Sequence, residues 1–266
     1  QRPYLARVIL IYSVEENLLM SAKENNPVAL ITGSAHRIGA CIARHLHQQD
    51  YRVIVHYHSS AETAQKLVDE LNQARANSAD LLKANLSEPA EIEQLSKQAI
   101  KCFGQLDVLV NNASRFFPTP VGDVTLTQWE NLVNTNLRAP FFLAQALNQE
   151  LKQNHGCIIN ITDVYGHRPL NDHPVYSMTK AGLIMLTKSL SKEMGPEVRV
   201  NAVSPGAIIW PDNELSNERK SEILNNTSLQ RIGGPDDIAE TVAFLASADY
   251  VTGQIIAVDG GRLLSI

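Results

Sequence analysis

The chain has few cysteines, few aromatics, no excess of positive charge and no long apolar run, and each shortage closes off a class of protein. Three cysteines, Cys41, Cys102 and Cys157, make no even-numbered disulfide framework, and no CxxC motif or Cys/His metal spacing joins them. Their apolar settings predict buried thiols in a reducing, cytoplasmic compartment. Lys and Arg number 23 against 28 Asp and Glu, so the basic footprint of a nucleic-acid binder is missing. No apolar stretch approaches the ~20 residues that cross a bilayer, which sets aside a membrane helix. The pair His56 and His58 has no third ligand nearby in sequence, so no metal is expected there.

What is present is the material of one α/β domain. Of 266 residues, 44% are apolar and 19% charged, the balance of a globular chain with ample core. From Pro27 onward, short branched runs alternate with longer helical periods. Strands are predicted at Val28–Thr32, Arg52–Tyr57, Asp80–Ala84, Val108–Asn111, Gly156–Thr162, Arg199–Val203 and Gln254–Val258. Helices are predicted at Ile38–Gln49, Ala61–Ala74, Pro89–Phe103, Thr127–Gln153, Val175–Met194 and Asp236–Ala246. Strands separated by helices imply right-handed crossovers and a parallel sheet covered on both faces. The expectation is a single-domain, Rossmann-type, doubly wound sheet of about seven strands.

No linker or repeat divides residues 20–266, which are read as one domain. The first methionine is Met20, and residues 1–19 are expected to be an extension that is not part of the native fold. Three stretches break the rhythm: 113–126, 163–174 and 204–235. All follow strands, and in open α/β sheets ligands sit beyond the carboxyl ends of strands, so the three should meet at one site.

Thr32-Gly33-Ser34-Ala35-His36-Arg37-Ile38-Gly39 joins the first strand to the first helix. Glycines there allow a tight turn and close backbone approach to a pyrophosphate facing the helix N-terminus. Arg37 supplies a planar cation, suited to a phosphate. The second strand ends in His56-Tyr57-His58-Ser59-Ser60 without the acid that binds a ribose 2′-hydroxyl in NAD enzymes. Hydroxyls and histidines can donate to a 2′-phosphate that a carboxylate would repel, so NADPH is favoured over NADH.

Tyr176 and Lys180 lie four apart, on one face of a helix. An ammonium beside a phenol is expected to lower its pKa toward neutrality. Thirteen residues before Tyr176 stands Asp163. Adjacent strand residues point to opposite faces, so only one of Thr162 and Asp163 looks into the site. An ionised aspartate accepts hydrogen bonds and donates none. It opposes a carbonyl turning into an alkoxide but aligns a phenol that protonates a ring nitrogen.

These motifs resemble the short-chain dehydrogenase/reductase superfamily, whose turn reads TG-x3-G-x-G with Arg37 here in place of the middle glycine. Asn85-Leu86 after the third strand corresponds to its adenine-binding residues, and Asn111-Asn112-Ala113-Ser114 to its NNAG. Asn136 corresponds to its water-relay asparagine, and Pro205-Gly206 to the turn beside the nicotinamide. Within the superfamily the chain resembles the pteridine reductases in the Arg-bearing turn, the HYH-x-S strand end, NNAS with a following aromatic, and the Asp/Tyr/Lys set.

That resemblance implies an NADPH-dependent dihydropterin reductase acting on dihydrobiopterin, dihydromonapterin or dihydrofolate. Arg37, His58 and Ser60 would meet the cofactor phosphate. Phe116 would stack on the pterin and Ser114 would touch it, with Phe117 one position away from the same role. Asp163, Tyr176 and Lys180 would supply the proton. Trp210 would close the pocket or pack a lid onto the body. A homotetramer is implied, with contacts through Thr127–Gln153 and Val175–Met194. Two other readings stay open: a 3-oxoacyl or sugar carbonyl reductase using Thr162, and a non-catalytic NADP(H)-binding sensor.

Overall fold

The structure, a computed structural model, describes residues 26–209 and 216–265. The expected extension at 1–19 and Trp210 lie outside the described residues. Seven strands follow in chain order: β1 (Val28–Ile31), β2 (Arg52–Tyr57), β3 (Ala79–Lys83), β4 (Val108–Asn111), β5 (Cys157–Ile161), β6 (Arg199–Pro205) and β7 (Ile255–Val258). They form one sheet in the order β3-β2-β1-β4-β5-β6-β7, every pairing parallel. Each parallel pairing needs a crossover. The helices supply them: α1 (Arg37–Gln48), α2 (Ala61–Ala74), α3 (Pro89–Phe103), α4 (Leu126–Val133), α5 (Ala139–Gln153), α6 (Pro174–Glu193), α7 (Asn217–Asn225) and α8 (Pro235–Ser247).

The period-2 geometry of β1 shows why both sheet faces had to be covered. Ala29 and Ile31 join a core cluster with α1, α2 and α8, while Val28 and Leu30 join the cluster on the opposite face with α3 and α5. All four are fully buried. A strand with no polar face is stable only between two helical layers, each large apolar side chain contributing about 1.5–3 kcal/mol.

The run expected as one helix over Thr127–Gln153 is three segments. α4 starts on a capping box, with Thr125 accepting from the Gln128 amide and Gln128 reaching back to the Thr125 amide. A π-helical turn at Asn134–Arg138 then precedes α5. The wider turn is the kind of irregularity that periodicity smooths over.

The sheet order reverses direction between β1 and β4, opening a crevice at their carboxyl ends. Thr32 bridges it: its hydroxyl oxygen accepts from the amides of Asn112 and Ala113 just past β4. Asn112 in turn donates to the carbonyls of Thr32 and Gly33.

Candidate active site

A cavity of about 660 Å³ lies at this switch point, within the size range of small-molecule and cofactor pockets. Its floor is the turn after β1. Gly33 has φ +62°, and a Cβ on it would come 2.9 Å from Ala113 Cα. A Cβ on Gly39 would lie 2.6 Å from Asn112 Nδ2. Glycine therefore lets the turn seat against the end of β4 while its backbone and the N-terminus of α1 face the cavity.

Arg37 is exposed, lines the cavity and holds φ +51°, a left-handed conformation that glycine adopts freely. Around it lie His36, Tyr57, His58, Ser59 and Ser60, with Ala84, Asn85 and Leu86 forming the next stretch of wall. No Asp or Glu lines the cavity among the described residues. A cation, hydroxyls and imidazoles without a carboxylate fit a phosphorylated ribose, and the glycine-seated turn fits a pyrophosphate.

His56 takes a different place from its neighbours. It is buried, its Nδ1 accepts from the Gly33 amide at 2.9 Å, and its Nε2 faces the Ala84 carbonyl at 3.1 Å. The two partners select the neutral tautomer with the proton on Nε2. Burial pushes the imidazole pKa down to about 4. His56 is thus a strut holding the glycine turn against β2 and β3.

Other expected site residues also make hydrogen bonds inside the protein. Ser34, expected at the cofactor, is buried, and its hydroxyl donates to the Ile31 carbonyl at 2.8 Å, inside the turn. Asn136, expected to support a water relay, is buried in the π-helical turn and bound on both sides by protein. Its Oδ1 accepts from the Arg115 amide and its Nδ2 donates to the Arg115 carbonyl and to Thr179 Oγ1. It clamps the 113–117 loop. Asn85 uses its side-chain oxygen to accept from the Ser87 amide, turning the chain toward α3. Pro205 and Gly206, at the end of β6, are not part of this cavity's wall. Residues not anticipated are Ala35, His36, Ala84 and Thr135, all lining the cavity, and Arg115, the neighbour of Phe116, lines it too. The first two sit inside the recognised turn, and position there was the signal available for them.

At the other end of the cavity lie Ser114, Phe116 and Tyr176. Phe116 is 58% exposed, stacked on His173 with ring centroids 4.7 Å apart, and edge-on to Tyr176 at 4.8 Å. Phe117 instead packs into a small cluster with Leu132 and Val175. Phe116 is therefore the aromatic face offered to a ligand, and His173 is its backing.

Behind Phe116, the Tyr176 hydroxyl donates to Asp163 Oδ2 at 2.7 Å. The Tyr165 amide donates to the other carboxylate oxygen at 2.8 Å, which fixes the carboxylate plane. Burial raises the Asp163 pKa against these hydrogen bonds and against Lys180 and Arg262. The expected depression of the Tyr176 pKa is reversed: burial, then the Asp163 charge, raises it well above its ordinary value. Lys180 is buried and donates to the Ile161 carbonyl at 3.0 Å, with its ammonium 5.6 Å from the Tyr176 ring centre. Desolvation lowers its pKa to about 8. The pair therefore rests as neutral phenol donating to carboxylate.

Thr162 is buried with its hydroxyl donating to the Val203 carbonyl at 2.9 Å. Of the two neighbours, Asp163 meets Tyr176 and Thr162 faces the sheet.

Among the described residues no helix is long and apolar enough to cross a membrane. A family model described as Enoyl-(Acyl carrier protein) reductase matches residues 33–262. A 3-oxoacyl-(acyl-carrier-protein) reductase, FabG, of Staphylococcus epidermidis is 38% identical over 244 residues, covering 90% of this chain and all of the relative. Pteridine reductase 1 of Leishmania tarentolae is 34% identical, covering 92% of this chain and 99% of the relative. The crystal structure of a blue fluorescent protein from a metagenomic library, in complex with NADPH, superposes with a TM-score of 0.84 at 38% identity, over 90% of this chain and 98% of that one. With the parallel sheet, the glycine turn at its switch point and the tyrosine–lysine pair beside it, the chain belongs to the short-chain dehydrogenase/reductase family.

Proposed function

We propose that the chain is an NADPH-dependent reductase of a C=N bond in a dihydropterin-type ring. The observation that carries the reading is the 2.7 Å hydrogen bond from Tyr176 to Asp163. It puts a carboxylate where ketone-reducing relatives need a donor to the substrate oxygen. A carboxylate there repels a developing alkoxide. It serves a reaction whose product is a protonated ring nitrogen.

Bound NADPH supplies the hydride. Arg37, His58 and Ser60 would hold its 2′-phosphate, and the turn around Gly33 and Gly39 would receive its pyrophosphate. Phe116, backed by His173, offers a flat apolar face to the ring. Tyr176 gives its hydroxyl proton to the ring nitrogen, the Asp163 carboxylate that accepts from the hydroxyl keeps it aligned, and solvent returns a proton to the phenolate oxygen after the transfer. Lys180 holds positive charge near the phenolate as it forms. The exposed Phe141, Phe142, Met178 and Met185 on α5 and α6 support assembly of copies through these helices into a homotetramer.

The relatives at 38–40% identity named as 3-oxoacyl reductases favour a second reading, a carbonyl reductase. Against it stands the commitment of the Thr162 hydroxyl to Val203. NADPH oxidation measured with dihydrobiopterin and with an acetoacetyl thioester separates the two. Turnover of the pterin is expected; rapid thioester reduction without pterin turnover would overturn the proposal in favour of the second reading.

A further inference from the structure

Away from the cavity, α1 and α8 pack side by side, and three side chains of different ligand type meet on their outer edge. Cys41 and His45 are four apart on α1, one above the other on the same face. Asp236, in the first turn of α8, comes from 195 residues further along the chain. Cys41 Sγ lies 3.0 Å from Asp236 Oδ1 and 3.7 Å from His45 Nδ1, and His45 Nδ1 lies 3.9 Å from Asp236 Oδ1. One thiol, one imidazole and one carboxylate therefore present ligand atoms within 4.8 Å of one another.

We propose that Cys41, His45 and Asp236 form a binding site for a borderline-soft divalent metal ion, Zn²⁺ or a congener, that staples α1 to α8. The geometry is what a tetrahedral ion asks for. Metal–sulfur bonds of ~2.3 Å and metal–nitrogen or metal–oxygen bonds of ~2.0–2.1 Å put S···N and S···O about 3.5 Å apart and N···O about 3.3 Å apart. The three observed separations need adjustments of only about half an ångström. The side chains can make them: Asp236 is 71% exposed and sits at a helix start, and His45 is partly exposed near the end of α1.

Binding replaces a proton. The thiol hydrogen now donated to Asp236 leaves to solvent as the metal–sulfur bond forms, so one proton is released for each ion bound by the thiol. Nδ1 of His45 also lies 3.3 Å from the Cys41 carbonyl. Ligation through Nδ1 uses the tautomer protonated on Nε2 and gives up that contact. The exposed side of Asp236 leaves the fourth position to water, as in open zinc sites. Sequence spacing hid the site, because two ligands are a single helical turn apart and the third is set by how α8 docks on α1.

The test uses the full, untagged chain, reduced and stripped with chelator, then titrated with Co²⁺ as a spectroscopic probe. A near-ultraviolet thiolate-to-cobalt charge-transfer band and intense visible bands of a tetrahedral ion are expected, saturating at one Co²⁺ per chain and bleached by Zn²⁺. Zn²⁺ is also expected to raise Tm. Cys41→Ser should abolish the band, and His45→Asn and Asp236→Asn should each weaken Co²⁺ binding at least ~10-fold. Cys102→Ser and Cys157→Ser should leave it intact. Absence of the thiolate band in the native chain, or its survival in Cys41→Ser, would overturn the proposal.

Discussion

Nδ1 of His56 accepts the amide hydrogen of Gly33 at 2.9 Å, tying the end of β2 to the turn that opens α1. Because Nε2 of the same ring meets the Ala84 carbonyl, one neutral imidazole spans β1, β2 and β3 at the rim of the cavity. Protonation would place a second hydrogen on Nδ1, against the Gly33 N–H it now accepts.

That relationship has a pH signature. The His56 pKa is about 4 in the fold against an ordinary 6.5, so the folded state binds fewer protons than the unfolded state between these values. Its contribution to stability is constant above pH 6.5 and is lost as pH falls from 6.5 toward 4, by about 3 kcal/mol in all. Urea midpoints measured across that window should fall more steeply in the native chain than in His56→Gln. At pH 7 the variant should be about 1–3 kcal/mol less stable, having lost a buried hydrogen-bonded ring.

Tyr176→Phe and Asp163→Ala should each lower pterin turnover by ~10²–10⁴, the range of positioned acid–base groups. Asp163→Asn tests the role of the charge more finely. The raised carboxyl pKa means that Asp163 takes up a proton at higher pH than an ordinary aspartate, and then no longer accepts as a carboxylate from the Tyr176 hydroxyl. Turnover should therefore decline on the acid side of that pKa, and the decline should vanish from the kcat profile of Asp163→Asn. An unchanged profile would show that the carboxylate does not align the phenol.

On the proposed function, Arg37 is expected to pull affinity and stability in opposite directions. Its left-handed backbone costs about 1–2 kcal/mol that glycine would not incur. Arg37→Gly should accordingly raise Tm. The same change should cut the preference for NADPH over NADH by ~10–100-fold, the worth of one hydrogen-bonded charge pair. Kinetics with both nucleotides, alongside thermal melts, read the two effects separately.

Phe116 and Phe117 should part company on truncation. Phe116→Ala removes an exposed ring stacked on His173, so stability should change by no more than about 1 kcal/mol while KM for the pterin rises. Phe117→Ala opens the cluster around Leu132 and Val175 and should cost several times more in urea stability, with a smaller effect on KM.

The strands and helices were legible because their signals are local. β2, β4, α2 and α3 begin and end at the residues that hydrophobic periodicity marks, and most other elements differ by a residue or two at their ends. The exceptions are α7, which matches none of the helices predicted from periodicity and buries no side chain that would mark one, and the α4–α5 run, where a π-helical turn carries Asn136 toward the 113–117 loop. One extra residue in a turn leaves the apolar pattern nearly unchanged, so only coordinates reveal it.

Side-chain direction was less legible. His56, Tyr57 and His58 alternate along one strand end, which says that His56 and His58 share a face and not that one is buried under Gly33 while the other is exposed. Ser34 and Asn136 were expected at the cofactor from their motifs, and spacing alone did not show that their polar atoms also hydrogen-bond within the loops themselves.

By itself the sequence determined the order of elements, the glycine turn at the sheet's switch point, and the separations that bring Asp163, Tyr176 and Lys180 into one neighbourhood. Backbone periods of 2.0 and 3.6 residues are properties of the chain, readable from side-chain spacing alone. Only the tertiary structure decided that Asp163 rather than Thr162 meets the phenol, that Phe116 rather than Phe117 faces the cavity, and that Asp236 closes on Cys41. Each of those choices depends on the packing of segments distant along the chain, whose mutual placement no local pattern records.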